Sequence, residues 1–221
     1  MIPGLAGMAG LIGNPGYKAT ASLVGSLTYN SSATNPVGMG NVSVPRAGLL
    51  VLFITGYRGN SGANQRSYVS STVAGVSTTT VDGGVLYRHP IAIAALEVTA
   101  GTKAISVSFN NDVVVAIVQA ILVENYEFAT YSDKDSNINE LTTTLTYDIP
   151  LNGVGLSGVA ASTGLNTSWS NATELADTTV GGGVTLSVAK KEVSAADASY
   201  TATASWASDP AAVAGAAASW S

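Results

Sequence analysis

Short runs rich in Val, Ile, Thr and aromatic residues alternate from Thr20 onward with Gly, Asn, Asp, Pro and Ser punctuation. This is the pattern of many short strands joined by turns. Period-two alternation is clear in Ile105-Ser106-Val107-Ser108-Phe109 and in Leu141-Thr142-Thr143-Thr144-Leu145-Thr146-Tyr147, so one face of each is polar. The runs predict strands over Ala19–Tyr29, Gly40–Val44, Leu49–Tyr57, Val73–Val81, Ile91–Val98, Ala104–Phe109 and Val113–Glu124. A second set covers Leu141–Tyr147, Val154–Ala161, Ala172–Thr178, Val184–Lys190, Ser199–Trp206 and Ala212–Trp220. Gly48–Ile54 and Val113–Val123 are apolar throughout. They read as buried strands, since a membrane helix needs about 20 such residues.

The two sets repeat one pattern. Thr102–Asn125 sets beside Ser199–Ser221 with Phe109 on Trp206 and Asp112 on Asp209, each copy being an alternating strand, a polar turn and an apolar strand. Glu97 falls on Glu192, Pro45 on Pro150 and Gly48 on Gly153, in the same order along the chain. One copy has an apolar face that it cannot cover alone, so two copies close a core between them. The expectation is an all-β protein: a single β-sandwich over residues 18–221 with jelly-roll-like connections, formed from an internal duplication (about 40–125 and 141–221). The Ala-rich segment Ala211–Ala218 has helical propensity, but its partner in the other copy assigns it to a strand.

Residues 1–17, MIPGLAGMAGLIGNPGY, stand apart. Glycine at this density disfavours both helix and strand. Met1, Ile2, Leu5, Met8, Leu11 and Ile12 would be an aggregation hazard on a free tail, so the segment reads as an extended N-terminal arm that docks on another subunit. It has no basic n-region, the first cation being Lys18, and does not read as a secretory signal.

Composition narrows the classes of function. Only 10% of residues are charged while 46% are hydrophobic, against about a quarter charged in an average soluble protein. Such a surface is either Ser/Thr/Asn/Gly-rich or covered by neighbours, as in an assembly. A net charge of −5 with scattered cations argues against nucleic-acid binding. There is no cysteine for disulfides or thiolate metal sites.

Few residues suggest chemistry. His89, the single histidine, lies between Arg88 and Pro90 and reads as a turn or surface residue; no G-x-S-x-G nucleophile motif is present. Asp133, Asp135 and Asn137 have the D-x-D-x-N spacing that opens many calcium loops, but Ile138 stands where glycine is expected and Thr144 where the bidentate glutamate belongs. A solvated linker between the copies is the competing reading. Glu97 and Glu192 could form an acid–base pair, yet their duplicated placement points to architecture. Trp169, in the polar stretch Asn166–Asn171, is a candidate for ligand contact. Tyr57, Arg58 and Tyr68 flank or open the Arg58–Ser67 loop, which the second copy shortens, and are candidates too.

The closing motif T-A-T-A-S-W-x-S…A-A-V-A-G-A-A-A-S-W, the Gly-Gly turn after a Thr-rich strand and the M-I-P-G leader resemble small structural proteins of tailed-phage virions and related gene-transfer particles. The resemblance implies a non-enzymatic virion component: a head decoration, head spike or tail-associated protein. Such a protein is made in the bacterial host cytoplasm and assembles with copies of itself and other virion proteins. It implies no cofactor and no membrane insertion. A carbohydrate-binding or host-adhesion module, contacting surface glycan, is the alternative.

Overall fold

The computed structural model describes residues 17–30, 35–58, 66–82, 89–138, 142–162, 164, 166–181, 183–208, 210 and 212–221. Among them are strands and turns but no helix. The first half holds β1 (Thr20–Asn30), β2 (Val37–Val44), β3 (Gly48–Tyr57), β4 (Tyr68–Val73), β5 (Val76–Ser77), β6 (Thr79–Asp82), β7 (Ile91–Val98), β8 (Gly101–Phe109) and β9 (Val115–Glu124). The second holds β10 (Asp133–Ile138), β11 (Thr142–Ile149), β12 (Val154–Ser162), β13 (Ser168–Ser170), β14 (Thr173–Val180), β15 (Val184–Glu192), β16 (Asp197–Ser205) and β17 (Val213–Trp220).

Each half makes its own pair of antiparallel sheets. In the first, the orders are β1-β9-β3-β7-β6 and β2-β8-β4-β5; in the second, β10-β17-β12-β15-β14 and β11-β16-β13. The all-β, sandwich-type architecture expected from the sequence is therefore present, with the sheets arranged as two face-to-face pairs. The reason lies in the apolar runs. β3, β9, β12 and β17 are buried at nearly every position, on both faces, and such strands need cover from both sides. Leu50, Leu52, Val118 and Leu122 face β2, β4 and β8 within the first sandwich. The alternate residues Leu49, Val51, Phe53, Ile91, Ile117 and Ile121 face Val154, Leu156, Leu186, Val188, Ala216 and Trp220 of the second. The result is four layers, with the two five-stranded sheets face to face at the centre. Each large side chain buried there stabilises the stack by about 1.5–3 kcal/mol.

The strand order is the same in both halves once β5 is set aside, and the registers coincide. Gly48 and Gly153 precede Leu49 and Val154, which stand opposite Glu97 and Glu192 on one side and Val123 and Trp220 on the other. In each half the first strand pairs with the last and the second with the last but one. Across the central interface β1 lies against β14 while β6 lies against β10, the reciprocal arrangement of a two-fold contact.

The second sandwich is filled differently from the first. Its large residues, Leu145, Tyr147, Ile149 and Tyr200, come from the three-stranded sheet. They press on glycines: a Cβ on Gly155 would fall 2.8 Å from Tyr147, and one on Gly215 would fall 2.5 Å from Thr143. The Tyr147 hydroxyl shares a 2.8 Å hydrogen bond with Ser157, and its ring meets Tyr200 edge-on at 5.4 Å. Burial pushes the Tyr147 hydroxyl well above its ordinary pKa, the Ser157 bond only partly offsetting this.

Candidate functional site

The two halves point the same way, so the body has two distinct ends. At one, the Ala19 amide donates to the Asn152 carbonyl (2.7 Å), joining the start of β1 to the turn before β12. The chain's described N-terminal residues, the crossover between the halves (125–132) and Ser221 all gather here. At the other end β1, β3, β6 and β8 and their counterparts in the second half finish. Asn30 there sits against Gly181 in the β14–β15 turn, where a Cβ would fall 2.7 Å from its amide nitrogen.

The first end carries the root of the arm. Residues Met1–Ile12, the expected anchor, lie outside the described residues. Tyr17 and Leu151, both 61% exposed, lie where the described chain begins. A clamp holds this root. Glu192 accepts hydrogen bonds from the Ala21 amide (3.1 Å) and the Lys190 ammonium (2.6 Å), and Lys190 also donates to the Ala21 carbonyl (2.7 Å). Burial opposes ionisation of Glu192, but these donors outweigh it and hold the carboxyl below its usual range. A lowered folded-state pKa gives stability that is present above the unfolded value and is lost as pH falls through the folded one. Amide exchange at Ala21 is therefore expected to accelerate relative to central-strand amides as pH falls below the ordinary range of a glutamate. Glu192→Gln should remove that pH dependence; an unchanged profile would count against the clamp. The matched Glu97 accepts instead from the Tyr126 hydroxyl (2.8 Å) in the crossover. Burial first, then that bond, raises the Tyr126 hydroxyl. A cavity of ≈ 270 Å³ opens beside it, lined by Leu49, Val81, Ala95, Leu96, Glu97 and Tyr131.

The opposite end is knit by polar side chains. Asn35 pairs with both backbone groups of Phe109, donating to its carbonyl (2.6 Å) and accepting from its amide (3.1 Å). Arg66 is buried and donates from Nε to the Asp112 carbonyl (2.7 Å). Burial and then the neighbouring Arg58 lower its pKa, Asp112 acting the other way.

Of the contact candidates, Arg58 is half-exposed with its guanidinium 3.7 Å from the Asp112 carboxylate. Tyr57 and Tyr68 are buried. Tyr68 shares its hydroxyl with Ser71 at 2.8 Å, and Tyr57 stacks on His89, ring centroids 4.7 Å apart. His89 itself is 1% exposed, which corrects the surface reading: its ring fills the space above Tyr57. Loop residues 59–65 lie outside the described residues. Trp169 is on the short strand β13, not in a loop. Its indole is partly buried against both clusters of the second sandwich and donates from Nε1 to Ser187 (2.9 Å), so packing accounts for it.

The calcium spacing has a different use here. β10 and β11 are edge strands of facing sheets. The Asp133 carboxylate accepts from the Asp148 amide and the Asp135 carboxylate from the Thr146 amide, both at 2.7 Å. Alternation along β10 aims both carboxylates at the free edge of β11, sealing amide donors that would otherwise recruit another strand. Asn137 pairs through its backbone with Gly215. Among the described residues no three His, Cys, Asp or Glu side chains converge as a metal site.

The strands β4, β10 and β13 were not foreseen, and with β13 the sequence reading missed a surface: three adjacent rows on the outward face of β11, β16 and β13 are hydroxyl-bearing, with Asp148 following them on β11. The signal was present as T-x-T and S-x-S alternation in all three segments. Compared with models of known families, with curated proteins and with solved structures, the chain matches none.

Proposed function

We propose that the protein is a non-enzymatic structural component of a phage-like particle, held by its N-terminal arm and assembled in many copies beside itself and other virion proteins. The observation that carries this is the polarity of the body. The described chain begins at one end, at exposed Tyr17 and beside exposed Leu151. At the other end β1, β3, β6 and β8 and their counterparts in the second half finish. Such a body is suited to being fastened below and presented above. The coincident strand orders and registers support reading the chain as a tandem of one nested, jelly-roll-like strand pattern.

Particles assembled with a chain lacking residues 1–17 test the reading. The truncated body should keep its melting temperature, because β1 and its clamp remain. Its copy number per particle should fall at least about tenfold, the equivalent of about 1.4 kcal/mol. Normal incorporation would overturn the anchor. The adhesion alternative keeps one support, a face other than Trp169.

A further inference from the structure

The outward face of the three-stranded sheet is a grid of hydroxyls. Pairing places Thr142, Ser205 and Ser168 in one row, Thr144, Thr203 and Ser170 in the next, and Thr146 with Thr201 in a third. Every outward position across these rows is Ser or Thr. Thr144 meets Thr203 at 3.4 Å and Thr146 meets Thr201 at 3.5 Å, hydroxyl to hydroxyl. Neighbouring strands stand about 4.8 Å apart and alternate residues along a strand about 6.6 Å apart, so the grid is regular in two directions. Threonine is stiff at χ1, which leaves little rotamer freedom to lose when its hydroxyl is engaged.

The architecture does not require this surface. The counterpart sheet of the first half has the same strand order, and its equivalent rows contain Ser108 with Ser70, then Gly38 with Ser106 and Thr72, and Asn41 with Ala104, so glycine, asparagine and alanine interrupt the hydroxyls there. Hydroxyls fill the grid in one copy only.

We propose that this face binds a neutral polysaccharide. The three rows carry no charge, and the outward residue that follows them on β11 is an acid, Asp148, bonded to the Ser199 amide, so nothing here selects a polyanion. Hydroxyls donate and accept equally, which matches the hydroxyls of a sugar polymer at repeated positions. Each such hydrogen bond contributes about 0.5–1.5 kcal/mol net at best, so a single face binds weakly. The inference rests on the proposed function at this point: many copies on one particle turn weak contacts into firm adhesion.

The binding step is measured on the free, full-length protein, so its failure leaves the arm-docking reading untouched. Depletion from suspensions of microcrystalline cellulose and of chitin is compared with retention on heparin–agarose, for the native chain, Thr203→Lys, Thr144→Lys and Ser106→Lys. Ser106→Lys alters the equivalent position on the other copy and is the control; melting curves check that each variant folds. We expect retention on at least one neutral polymer, lost about tenfold or more in Thr203→Lys and Thr144→Lys and kept in Ser106→Lys. No retention on either neutral polymer, stronger retention on heparin, or equal loss in all variants would overturn it. So would a Thr203→Lys effect confined to the sedimenting mass, which would assign the face to a second copy.

Discussion

Phe53→Ala should lower the unfolding free energy by about 3–5 kcal/mol, and both halves should still unfold in one transition. Phe53 is fully buried where the two central sheets meet. Its ring lies over Gly158 of β12, where a Cβ would come within 2.4 Å of the ring edge and 3.2 Å of Ile91. The phenylalanine of one half thus occupies the space that a glycine of the other leaves open. Gly158→Ala in the native background should therefore cost about 1–3 kcal/mol by overpacking. In the Phe53→Ala background the added methyl enters the cavity and the cost should shrink or reverse. Urea unfolding of the four proteins gives the coupling directly. Strict additivity, or two separate transitions in native chain, would contradict a central interface shared by both halves.

At the matched glycines, Gly153→Ala should destabilise by about 1–3 kcal/mol and Gly48→Ala by less. A Cβ on Gly153 would meet the carbonyl oxygens of Trp220 at 2.6 Å and Pro150 at 2.7 Å. Backbone atoms cannot swing aside, so the strand itself must shift. On Gly48 the obstacles are the Val123 carbonyl at 2.8 Å and the Leu122 side-chain tip at 2.7 Å, and the tip can move. Gly38, with nothing within 4 Å of its would-be Cβ, should tolerate alanine within about 0.5 kcal/mol. Thermal melts of the three variants rank them; a neutral Gly153→Ala would show that close backbone approach is not what keeps glycine there.

Much of the fold was legible because its grammar is local. Alternation and apolar runs located most strands, and Glu97 and Glu192, set together by sequence, stand opposite Leu49 and Val154. The stacking of the sheets was not legible, because a run apolar on both faces announces burial without saying against what. β10 was read as a linker because its charged side chains suggest solvent, whereas Asp133 and Asp135 spend their charge on the amides of β11. His89 and Trp169 misled in the same manner: polar neighbours in sequence did not foretell an aromatic stack or an indole donor inside a sandwich. The hydroxyl grid was half visible, since each strand shows its alternation, but only pairing lays the strands side by side.

The start of the described chain at one end, and the finish of β1, β3, β6 and β8 at the other, set the direction in which a pull on the N-terminus would load the molecule. A pull between a fastened arm and a gripped far end runs along the strands, across hydrogen bonds that lie perpendicular to them. Those bonds are loaded in shear and must yield together. For β1 that means its whole ladder with β9 from Thr20 to Asn30, reinforced at the pulled end by Glu192 and Lys190. Rupture under force is governed by the unfolding rate, so mechanical lifetime and equilibrium stability are separate properties here. Weakening the clamp would shorten the lifetime under tension far more than it lowers the melting temperature.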